Sequence, residues 1–167
     1  MIHVAVVRGP YLEAMLTGRK TIESRLTVTR REPFGVAAAG ERIYFKEPGG
    51  PFRVTALIGR TLEFAGLTPS GVRLLRRRYG KLIGGDEAYW SAKLGARYAA
   101  LMYLEAVEEV CGGPVHPAFH GRAWMRLPTS ACVYPGCLGD GGAGGAAGAA
   151  KPRLARAGRS GRTRRSA

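Results

Sequence analysis

GRKTIESR, residues 18–25, joins an apolar helical pattern to a β-type pattern. Ile22, Ser24 and Leu26 alternate with Thr21, Glu23 and Arg25, and Thr and Ile favour strand. Glu23 and Arg25 therefore share one face of a strand, opposite Ile22 and Leu26. Lys20 is out of phase with them. It joins their face only from the turn, or if the strand starts with a bulge. Charges of both signs this close either line a pocket or form an exposed ion-pair row contributing at most ~1 kcal/mol.

Towards the N-terminus, His3 to Val7 is short, apolar and β-branched, and reads as a strand. Gly9-Pro10 then opens a helix, with proline where its missing N–H costs nothing. Leu12, Met15 and Leu16 give that helix one apolar face, and Gly18 is its stop.

Towards the C-terminus, Arg30 to Gly40 is a loop. Arg42 to Lys46 (RIYFK) and Phe52 to Phe64 read as a strand pair joined by the turn EPGGP, the second broken by Gly59. Thr68-Pro69 starts a helix with Val72, Leu75 and Tyr79 as its buried stripe and Gly80 as its end. Asp86 caps a further short helix carrying Tyr89, Trp90, Lys93 and Leu94, stopped by Gly95. Residues 97–110 are helical by propensity, and a strand buried on both sides would show the same two apolar phases, so the residues alone lean to helix. Arg122 to Leu127 is a last strand, with Trp124 assigned to the core.

The chain has 167 residues and a formal charge of +14, which favours polyanionic partners, nucleic acid before anionic membrane. No apolar run approaches the ~20 residues that span a bilayer. The start MIHVAVVRG lacks the pattern of a signal peptide, so the expected location is cytoplasmic. Cys111, Cys132 and Cys137 make an odd count without an export signal, which argues against a disulfide framework. With His116 and His120 they fit no common zinc spacing, and no metal or other cofactor is expected. From Thr129 the composition turns to Gly, Ala and Arg. Residues 1–128 are expected to form one domain, net +8, and residues 129–167 a disordered basic tail, net +6.

The pattern Gly18-x-Lys20-x-x-Glu23-x-Arg25, between a short helix and a strand, resembles the signature of the ASCH domain, a member of the PUA-like superfamily. RIYFKE at 42–47, RYAALMYLEAVEEV at 97–110 and RAWMRL at 122–127 resemble later strands of that family. The resemblance covers roughly residues 2 to 128. It implies an α+β fold: a PUA-like small β-barrel of about five to six strands with peripheral short helices. It also assigns 97–110 to strand.

Members of the family resemble RNA-binding modules, and PUA-like relatives hold a single base in a pocket. The expected function is RNA binding, with a single or modified base held by Lys20, Glu23 and Arg25. A carboxylate accepts hydrogen bonds from a base amino group, a guanidinium pairs with phosphate or with Glu23 itself, and an ammonium meets phosphate as a point charge. Tyr44 and Lys46 share a strand face and would stack a base and hold backbone if that face adjoins Glu23. Arg73, Arg76, Arg77 and Arg78 form a basic helix face suited to phosphates. Tyr89, Trp90 and Lys93 read as a core plug with a solvated lysine.

The alternative is a hydrolase acting on RNA or on an acylated nucleoside. Some small bacterial ASCH proteins hydrolyse N4-acetylcytidine with a motif lysine and a threonine. This chain keeps Lys20 and carries Glu23 at the threonine's place, so its catalytic pair would be Lys20 and Glu23. RNA or single-stranded nucleic acid is the expected partner, a nucleoside the second; neither a membrane nor an obligate protein partner is inferred.

Overall fold

A computed structural model describes residues 1–119, 121–131 and 133–134. Its elements in chain order are β1 (Ile2–Val6), α1 (Gly9–Leu16), β2 (Ile22–Thr27), β3 (Arg42–Lys46), β4 (Phe52–Ala65), α2 (Pro69–Ile83), α3 (Glu87–Ala92), β5 (Tyr98–Glu109), β6 (Gly113–Pro114), β7 (Trp124–Leu127) and β8 (Val133–Tyr134). Six strands form one sheet in the order β2-β5-β4-β3-β1-β7. Among the described strands, only β1 and β3 pair in parallel. The sheet curls into a half-barrel whose two edge strands, β2 and β7, line a common cleft. This is the small barrel with peripheral helices that the resemblance implies.

The 97–110 segment is strand because it serves two cores. Ala99 and Leu101 pack with Val72, Leu75, Tyr79 and Ile83 of α2 and with Trp90 of α3. Met102 and Leu104 face the barrel interior with Phe45, Val54, Ile58, Met15 and Trp124. Burial on both faces erases the alternation that would mark a strand. β5 is also held on both sides, by β2 and β4, so its backbone bonds are satisfied without a helix.

Two details differ from expectation. Gly80 does not end α2; the helix runs to Ile83, and Gly84 at φ +73° supplies the left-handed stop. A glycine inside a helix costs up to ~1 kcal/mol relative to alanine, less than the ~1.5–3 kcal/mol gained by burying an isoleucine such as Ile83. Gly59 does not break β4 but sits where the β4–β5 register shifts, between Ile58 and Arg60. A Cβ there would lie 2.1 Å from the Glu105 carboxylate, so a larger residue at this bulge would have to displace the exposed Glu105 side chain.

Thr68 caps α2 as expected, its hydroxyl accepting from the Gly71 amide at 3.2 Å. Past residue 128, Val133 and Tyr134 pair with Gly113 and Pro114 in a small second sheet. Residues 135–167, and with them Cys137 and the tail arginines, lie outside the described residues, as do His120 and Cys132.

Candidate functional site

A cleft of about 1290 Å³ opens between β2 and β7, with α3 and the start of α1 as further walls. Its position follows from the sheet. On β2, Glu23 stands opposite Met102 and Arg25 opposite Ala100, and Met102 belongs to the barrel core. Directly opposed residues share a face. Glu23 and Arg25 are therefore charged side chains on the interior face of a barrel, at the side where it does not close.

Interior charge must be compensated. The Glu23 carboxylate is 3.3 Å from Lys20 Nζ through one oxygen and 2.8 Å from Arg25 Nε through the other. Lys20 and Glu23 are each only 3% exposed. The Lys20 ammonium also donates to the carbonyls of Ile22 at 2.7 Å and Ile83 at 2.9 Å. With Glu23, those carbonyls take all three of its protons.

Ile83 is the last residue of α2, so Lys20 places a cation where a helix C-terminus presents unpaired carbonyls. The Thr21 amide bonds the neighbouring Leu82 carbonyl at 2.9 Å. Gly18, at φ +71°, makes the turn that delivers Lys20 to this position. Burial pushes the Lys20 ammonium below the usual lysine range, against the pull of Glu23. Lys20 thus joins Glu23 and Arg25 from the turn, with no bulge.

Arg25 reaches across the gap. Its Nη2 donates to the Val6 carbonyl of β1 at 3.1 Å, and its guanidinium lies 5.3 Å from the Trp124 ring of β7. One side chain therefore ties the β2 edge to the far side of the opening. On the other face of β2, Ser24 Oγ and Tyr89 Oη of α3 are 2.8 Å apart. The cleft wraps the free edge of β2, with an ion-pair row on one side and a hydroxyl pair on the other.

Seven cationic side chains line the cleft, Arg8, Lys20, Arg25, Arg31, Lys93, Arg122 and Arg126, against the acids Glu23, Glu32 and Asp86. Glu32 pairs with Arg126 at 3.5 Å, and Asp86 accepts from the Tyr89 amide as the cap of α3. The balance leaves a positive cleft.

The remaining sequence candidates lie elsewhere. Tyr44 and Lys46 do share a strand face, but that face does not adjoin Glu23. Tyr44 is buried with Ile2, Val4, Phe52, Met125 and Leu127, and Lys46 Nζ lies 5.3 Å from the Phe52 ring. Arg73, Arg76 and Arg77 are exposed on α2 and do not line the cleft. Arg76 also forms a two-pronged pair with Glu87, one contact being 2.9 Å.

Conversely, Tyr11, Ser24, Tyr89 and Lys93 line the cleft and were not among the site candidates. Trp90 is the core plug that its cluster promised; its indole donates to the Gly85 carbonyl at 3.1 Å. Tyr89 and Lys93, four residues apart, belong to the cleft wall instead. That i, i+4 spacing was the available signal.

No family model and no curated protein matches the chain. Solved structures do. The ASCH protein of Zymomonas mobilis superposes with a TM-score of 0.58 at 18% identity, over 77% of this chain and 88% of that one. Its serine-to-alanine variant gives 0.58 at 19% identity, over 77% and 89%. A tyrosine-to-phenylalanine variant gives 0.57 at 18% identity, over 77% and 91%. The likeness is one of fold: this chain has an ASCH-like fold.

Proposed function

We propose that the cleft binds RNA, holding one base against the Glu23 side while the cationic rim engages phosphates. The observation that carries this reading is the buried carboxylate of Glu23, facing a strongly cationic cleft. A carboxylate fixed by two cations keeps lone pairs free and accepts from the exocyclic amino group of cytosine or adenine. The guanidinium of Arg25, partly exposed in the cleft wall, supplies a flat surface beside it for a base face. Arg8, Arg31 and Arg122, exposed and without acidic partners among the described residues, suit backbone phosphates.

The hydrolase alternative draws less support. It asks Lys20 to act on substrate, and the three protons of Lys20 are already committed to two carbonyls and Glu23.

Filter binding of single-stranded RNA across a salt series tests the proposal. Log affinity should fall linearly with log salt, and each of Arg8→Ala and Arg122→Ala should flatten the slope by about 1. Absence of RNA or single-stranded DNA binding even at low salt overturns it. Turnover of N4-acetylcytidine, abolished in Lys20→Ala and Glu23→Ala, would restore the hydrolase.

A further inference from the structure

The α3 wall of the cleft holds a cation without a counterion among the described residues. Lys93 is half-buried and lines the cleft. Its Nζ lies 5.8 Å from the Tyr89 ring centroid, a cation–π contact. Among the described residues, no acid pairs with it. Arg25 is close enough to oppose its charge, and Asp86 and Glu23 are committed elsewhere. The other unpaired cations of the cleft, Arg8, Arg31 and Arg122, are exposed, and water serves them well. Lys93 is the unpaired one held partly out of water, where a missing counterion matters most.

Next to Lys93 stands the hydroxyl pair of Ser24 and Tyr89, 2.8 Å apart. Two hydroxyls in mutual contact spend one proton on each other and leave one O–H to donate. Burial pushes the Tyr89 phenol up to about 12, so it keeps that proton at neutral pH. An ammonium, a hydroxyl donor and the positive charge of Arg25 thus act on one corner of the cleft. A tetrahedral oxyanion with several acceptor oxygens satisfies all three.

We infer that Lys93, Tyr89 and Ser24, with Arg25, form a phosphate subsite on the α3 side of the β2 edge. It receives the phosphate joined to the nucleoside whose base faces Glu23. The assignment of base and phosphate to opposite sides of β2 rests on the proposed RNA reading; the phosphate subsite itself does not. The phosphate is either the terminal monoester of a nucleotide or an internal diester of RNA, since both offer the same oxygens.

Calorimetric titration of the full chain at constant ionic strength tests the inference, using inorganic phosphate, cytidine, cytidine 5′-monophosphate and the dinucleotide CpC. The monophosphate or the dinucleotide should bind on the order of tenfold tighter than cytidine, a difference well within calorimetric reach. Lys93→Gln should erase that advantage and leave cytidine unaffected, and Tyr89→Phe should reduce it. Whichever ligand gains more identifies the source of the phosphate.

Equal binding of cytidine and both phosphorylated ligands, or an advantage that survives Lys93→Gln, overturns the subsite. Glu23→Gln separates this failure from that of the base reading. If it leaves every affinity unchanged while Lys93→Gln removes phosphate binding, the subsite stands and the base assignment falls. If no nucleoside binds at all, inorganic phosphate decides: Lys93-dependent binding supports the subsite, and absent or Lys93-independent binding overturns it. An unchanged melting temperature for Lys93→Gln excludes misfolding as the cause.

Discussion

The two sides of the β2 edge carry the same residue types in opposite electrostatic condition. On the barrel side, Lys20, Glu23 and Arg25 neutralise one another, and Lys20 spends its remaining protons on backbone carbonyls. On the α3 side, Lys93 has only an aromatic face among the described residues, and the Ser24–Tyr89 pair keeps a donor unspent. Burial lowers the pKa of both lysines, yet Glu23 opposes that fall at Lys20 while Arg25 deepens it at Lys93. The difference separates two uses of buried charge. On the barrel side the protons of Lys20 are spent on holding the architecture and only lone pairs of Glu23 are left for a ligand, whereas the α3 side keeps a cation and a donor for something that arrives from outside.

The largest expected effect breaks the first half of this comparison. Lys20→Ala leaves the Glu23 carboxylate short of a partner in a near-dry site and strips a cation from the α2 C-terminus. Loss of one partner of a buried pair costs about 3–5 kcal/mol, and the retained Arg25 contact places this case near the lower end. Lys93→Gln, in the same cleft, removes a half-buried cation that Arg25 opposes and breaks no ion pair, so it should cost less than about 0.5 kcal/mol. Urea unfolding of the two variants measures the contrast; equal losses would show that the two sides do not differ in kind.

Glu23→Gln comes next. Glutamine keeps the shape and one acceptor but leaves Lys20 and Arg25 facing each other without an anion. The expected loss is about 2 kcal/mol, the scale of a hydrogen bond to a charged group. Because Lys20 still holds the Ile22 and Ile83 carbonyls, this variant should be less damaged than Lys20→Ala. The reverse order in urea midpoints would place the keystone at the carboxylate rather than at the ammonium.

How much of this was legible in the sequence follows the range of the interactions. The phase of β2 is local, so Glu23 and Arg25 on one face, opposite Ile22 and Leu26, could be read directly. The placement of Lys20 could be stated only as a condition. The carbonyl that fixes it belongs to Ile83, 63 residues away. Strand 98–109 needed the resemblance, because Leu101 and Met102 feed different cores and no alternation survives.

For Tyr44 and Lys46 the phase was right and the neighbour wrong. Which sheet face meets β2 depends on strand order, which periodicity does not encode. The arginines of α2 were legible as an exposed face, but their distance from the cleft was not. Tyr89 and Lys93 were masked by Trp90 between them. A short helix with one core residue looks like a plug until a strand edge is laid against its other face.

Tyr89→Phe has a small expected effect on stability and sharpens the comparison most. Among the described residues, removing the phenol breaks the bond to Ser24 Oγ and no other hydrogen bond. Ser24 is only half-buried at the cleft edge, so water can replace the lost partner. The cost should stay at or below about 1 kcal/mol, the net worth of a neutral hydrogen bond. The ring remains, so its edge contact with Trp90 at 5.2 Å survives. If the α3 side is built for a ligand, this variant loses little stability but loses phosphate affinity, the reverse of Glu23→Gln. Arg25 belongs to both sides: it pairs with Glu23 and its charge reaches Lys93. Arg25→Ala should therefore move stability and phosphate affinity together, and a variant series that failed to separate the other residues around it would dissolve the distinction.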